Sequence, residues 1–65
     1  MEIKIIFRNG ISDRKYAEIE GLGLGETILY GRSDKKNPVM FSLIIKGTKK
    51  RVAEKLRKLM KIIEK

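Results

Sequence analysis

The chain has 65 residues, with 16 Lys and Arg against 8 Asp and Glu, a net charge of +8, and neither Cys nor His. A domain this small buries only about 60% of the surface its unfolded chain exposes. With no disulfide or Cys/His zinc site to staple it, the chain must rely on an apolar core, oligomerisation or a partner. The absence of His and Cys also removes the commonest general base and the most reactive nucleophile, so the expectation is a protein without catalysis, metal or cofactor.

The lack of Cys fits a reducing compartment. Met1 to Gly10 has no continuous apolar segment of the kind that opens a secretory leader, and no apolar run approaches the roughly 20 residues that span a bilayer. The expectation is a cytoplasmic protein with no membrane partner. Gln, Trp and His are missing while Lys, Glu and Ile abound, a bias reported for hyperthermophile proteins.

In chain order, Glu2 to Arg8 alternates, with Ile3, Ile5 and Phe7 on one face, which predicts a half-buried strand. Asn9-Gly10 readily takes positive φ and predicts a hairpin. A return strand is expected over 14–20, with Ala17 and Ile19 inward and Tyr16, Glu18 and Glu20 outward. The glycines of Gly21-Leu22-Gly23-Leu24-Gly25 lack the Lys-Ser/Thr ending of a P-loop and predict a bend or bulge. Thr27, Ile28 and Tyr30 favour a third strand over 26–32. Asp34, Asn37 and Pro38 predict a turn. Val39, Phe41, Leu43 and Ile45 form one face of a fourth strand over 39–46, with Met40, Ser42 and Ile44 on the other.

Thr48 then predicts a helix N-cap. Over 49–64, Val52, Leu56, Leu59 and Ile63 fall within about 60° on a helical wheel, a stripe widened by Ala53, Met60 and Ile62. The expected fold is a single α+β domain, 1–65. It has a small antiparallel sheet of three to four strands in a meander, packed on one C-terminal α-helix.

The charge is concentrated at the end of the chain. The segment from Thr48 to Lys65 holds eight of the Lys and Arg and only Glu54 and Glu64 among acids, leaving +6 of the total. Lys49, Lys50 and Arg51 fill the first helical turn, where the macrodipole favours acids and each mismatch costs about 0.3 to 1 kcal/mol when exposed. Free first-turn amides beside three cations suit a phosphate. Arg57, Lys58 and Lys61 extend this basic face, with Arg14, Lys15, Arg32, Lys35 and Lys36 as secondary contacts in or near loops. Lys50, Glu54 and Lys58 also have the spacing of ordinary surface pairs. Tyr16, expected on the outer sheet face, is a candidate for stacking on a base, ahead of Tyr30.

The run Lys46-Gly47-Thr48-Lys49-Lys50-Arg51-Val52-Ala53-Glu54-Lys55, following an apolar strand, resembles the final strand and helix of double-stranded-RNA-binding domains. That resemblance implies that Lys49, Lys50 and Arg51 grip phosphates. In size, basicity and strand-then-helix order the chain also resembles small archaeal chromatin proteins with an SH3-like barrel, which implies a DNA partner.

The function expected first is therefore non-catalytic binding of DNA or RNA through phosphate contacts, with weak sequence specificity. The alternative is a protein-interaction module: a homo-oligomer, such as a homodimer or larger complex, or a small subunit or inhibitor docking on an acidic protein surface. Its motive is apolar surface at Met40, Ile44, Met60 and Ile62.

Overall fold

A computed structural model describes residues 1–31 and 39–64. The element order is β1 (Glu2–Ile11), α1 (Asp13–Leu22), β2 (Glu26–Gly31), β3 (Val39–Lys46) and α2 (Lys49–Ile63). The fold is α+β, an open antiparallel sheet of three strands with two helices, the last at the C-terminal end. The strands lie in the order β1-β3-β2, so β3 runs antiparallel to both neighbours. The apolar face of β3 is as read from the sequence, with Val39, Phe41, Leu43 and Ile45 at 0% exposure.

Several expectations need correction. The segment 14–20 is helical. Ser12 caps it, its hydroxyl accepting from the Lys15 amide at 3.3 Å, and Asp13 complements the dipole in the first turn. Tyr16 and Ile19, three residues apart, then share the buried face. The apparent alternation in this short segment is thus overridden by its cap and by the core contact of one helical face. The sheet is consequently not a meander. β1 and β2 are joined by α1 and separated by β3, and the open sheet departs from the barrel of the chromatin proteins.

Asn9-Gly10 closes no hairpin. It lies inside β1, where the pairing register with β3 shifts between Phe7 and Ile11, and Gly10 has φ 76°. Between those pairs Met40 alone of β3 faces Arg8, Asn9 and Gly10 of β1, so the dipeptide's preference for positive φ serves a bulge. The glycine run likewise does not bend a strand. Gly23 ends α1 in the left-handed conformation (φ 60°), its amide donating to the Glu20 carbonyl at 3.1 Å. Gly25 then opens the way to β2: a Cβ there would collide with the Ile44 carbonyl oxygen.

The core lies between the sheet and the two helices. Phe41 stacks on Phe7 with ring centroids 4.5 Å apart and takes the edge of Tyr16 at 4.8 Å. From α2, Val52, Leu59 and Ile62 are buried, Leu56 and Ile63 half-buried, and Ala53 and Met60 exposed. The stripe is therefore rotated from the sequence expectation. The α1 helix, absent from that expectation, packs against α2, and Leu22 and Ile62 line the groove between them.

Candidate nucleic-acid interface

The structure sorts the expected site residues into those that project freely and those that are used within the fold. Lys49, Lys50 and Arg51 occupy the first turn of α2 and are exposed. Thr48 caps the helix as expected: its hydroxyl accepts from the Arg51 amide at 3.3 Å, and its carbonyl from the Val52 amide at 2.9 Å. No acid lies in this turn. Arg57, Lys58 and Lys61 are exposed as well. At about 100° per residue, Lys50, Arg57 and Lys61 form a row within about 40° of arc, while Arg51 and Lys58 form a second row within about 20°. The first row extends about 17 Å at about 1.5 Å per residue. Glu54 lies between the rows, yet neither Lys50 nor Lys58 makes an ion pair with it among the described residues.

Lys58 and Lys61 border an open groove of about 550 Å³ between the helices, shared with Glu18, Gly21, Leu22 and Ile62. Arg14 is exposed at the start of α1. Arg32, Lys35 and Lys36 lie outside the described residues.

Lys15 and Tyr16 have structural employment. The Lys15 ammonium donates to the Ile63 carbonyl at 3.0 Å, tying the start of α1 to the end of α2 and satisfying one of the carbonyls that a helix end leaves open. Tyr16 is buried at 8% exposure against Phe41, and its hydroxyl donates to Glu20 Oε1 at 2.7 Å. It does not stand on the outer sheet face. The Thr27 hydroxyl donates to the same Glu20 oxygen, and the bonds from Thr27 and then Tyr16 hold the Glu20 carboxyl below its ordinary value of 4.5, against a smaller opposing effect of burial.

The tyrosine that does occupy the outer face is Tyr30, at 57% exposure, with its hydroxyl 2.6 Å from that of Ser42. The signal that would have found it is the parity of β2: Ile28 pairs with Ser42 on the face opposite Leu43 and Phe41. Lys4 and Arg8 are further exposed cations on β1.

No group of three or more Asp, Glu, His or Cys is placed to hold a metal among the described residues. No helix among them is long and apolar enough to cross a membrane. Comparison with known protein families, with curated proteins and with solved structures returns no match.

Proposed function

We propose that this protein is a non-catalytic nucleic-acid-binding domain that grips phosphates with the start and outer face of α2. The observation that carries this is the first turn of α2: three exposed cations on a capped helix start, with no acid to offset them. The cost of that arrangement to the free protein is relieved by an anion seated on the same turn. The adjoining row of Lys50, Arg57 and Lys61 supplies length along a phosphate backbone. Contacts of this kind hold DNA or RNA with little dependence on sequence.

The test is binding to duplex DNA, duplex RNA and single strands over a range of salt. If about five phosphates are neutralised on duplex DNA, log affinity should fall against log salt with a slope near −4.5. Undetectable binding to all of these at low salt would overturn the proposal.

A further inference from the structure

The face of the sheet turned away from the helices is apolar and uncovered among the described residues. Of the eight large hydrophobic residues exposed in the described part of the molecule, Ile6, Ile28, Tyr30 and Met40 come from this face. Ile44 adds a half-buried side chain, and Ser42, fully buried beneath its neighbours, has its hydroxyl paired with that of Tyr30. The centre of the face thus offers carbon with its polar atoms already partnered, which suits contact with another apolar surface.

The pairing register also gives the face a charge pattern. Lys4, Ile44 and Glu26 form one rung across the three strands, and Ile6, Ser42 and Ile28 form another. A cation therefore stands at the β1 edge and an anion at the β2 edge of the same rung. We infer that this face docks on the same face of a second copy, around a twofold axis parallel to β3.

Such an axis lays β1 of one protomer over β2 of the other without changing the rung. Lys4 then meets the partner's Glu26, Ile6 meets the partner's Ile28, and each contact occurs twice, as a closed twofold interface requires. An axis across the strands would instead invert the rungs and stack β1 on β1, bringing Lys4 towards the partner's cationic Arg8. Charge selects the first arrangement, and two twisted sheets can pack within about 30° of alignment. Because α2 begins directly after β3, both helix starts come to the same end of the dimer.

Three strands about 4.8 Å apart and eight residues of about 3.3 Å each give a flat area of roughly 380 Å² per protomer. The pair together lies below the about 1,200 Å² of a standard interface, so the association is weak and concentration-dependent.

Sedimentation velocity on the full chain, from about 10 µM to about 1 mM, brackets dissociation constants of this order. The mass should rise towards that of a dimer across the series. Lys4→Glu or Glu26→Lys alone should weaken association about tenfold at low salt, because each places like charges opposite one another twice. The double variant Lys4→Glu/Glu26→Lys should restore it. Ile28→Asp should abolish it, whereas Leu22→Asp, on the exposed side of α1, should leave it intact, with circular dichroism confirming that each variant is folded. A monomer at every concentration would overturn the inference. So would a double variant no better than the singles, or a dimer broken by Leu22→Asp and not by Ile28→Asp.

Discussion

The two helices begin with the same device and diverge within one turn. Ser12 and Thr48 each accept from the amide three residues on, both at 3.3 Å. After the cap, α1 continues with Asp13 and α2 with Lys49, Lys50 and Arg51. In α1 the polar side chains are turned to the protein's own use: Lys15 closes on the end of α2, and Tyr16 and Thr27 converge on Glu20. Among the described residues, no side-chain hydrogen bond or ion pair engages Lys49, Lys50, Arg51, Arg57, Lys58 or Lys61. The capping bond is therefore common to both helices, and what distinguishes them is where their charge is used. One helix is anchored by its charges, and the other presents them outward.

That contrast predicts opposite consequences for removing cations from the two helices. Replacing Lys49, Lys50 and Arg51 together with Ala should reduce affinity for duplex DNA on the order of a hundredfold at low salt. The magnitude of the salt slope should drop by about 2.7, as the loss of three phosphate contacts requires. The folded state should be unharmed or slightly more stable. Lys15→Ala should do the reverse, costing about 1 kcal/mol by freeing the Ile63 carbonyl, with little effect on affinity. Filter binding and thermal melts on the two variants provide the check. If Lys15→Ala weakened binding as much as the triple variant, the division of labour between the helices would fail.

The part of this contrast readable in advance was the α2 half. Its apolar stripe runs through four turns, its cap is a single Thr, and exposed cations need no tertiary contact to be placed. The α1 half was hidden because ten residues give a weak pattern: Arg14 to Glu20 reads as alternation if Ala17 and Ile19 are taken as the buried pair. In the fold, Ala17 is exposed and Tyr16 takes its place beside Ile19. The decisive local signals were Ser12-Asp13 at the start and Gly23 at the end, and they compete with an Asn9-Gly10 dipeptide that suggests a hairpin. Once that segment is misassigned, Tyr16 goes to the wrong face and Lys15 looks free. The β3 strand was legible for the converse reason, since its fully buried apolar residues, Val39, Phe41, Leu43 and Ile45, fall at every second position.

A milder probe adjusts one charge of the α2 turn. Lys50→Glu places an acid among the first-turn amides, as Asp13 already does in α1. Stability should rise by about 0.3 to 1 kcal/mol at low salt, and the gain should shrink as salt is added. Affinity for nucleic acid should fall at the same time. Melting temperatures at two ionic strengths decide the matter, and a salt-independent loss of stability would show that Lys50 is held by the fold after all.

The smallest effect expected is on the anchored side, at Glu20. Bonds from Thr27 and Tyr16 favour its charged form, so its folded pKa lies below the ordinary 4.5. A group whose pKa is lowered by folding contributes stability that is fully present above the unfolded value and is lost as pH falls through the folded one. Because Glu20 is exposed, solvent screens most of this contribution. Thr27→Val removes the larger of the two causes. The parent should therefore melt slightly higher than this variant at about pH 7, and the gap should narrow at about pH 3 as both carboxyls become protonated. A gap that stayed constant over that range would mean that Thr27 acts through packing in β2, and the anchoring of α1 would then rest on the Lys15 bond and on burial of Tyr16 and Ile19.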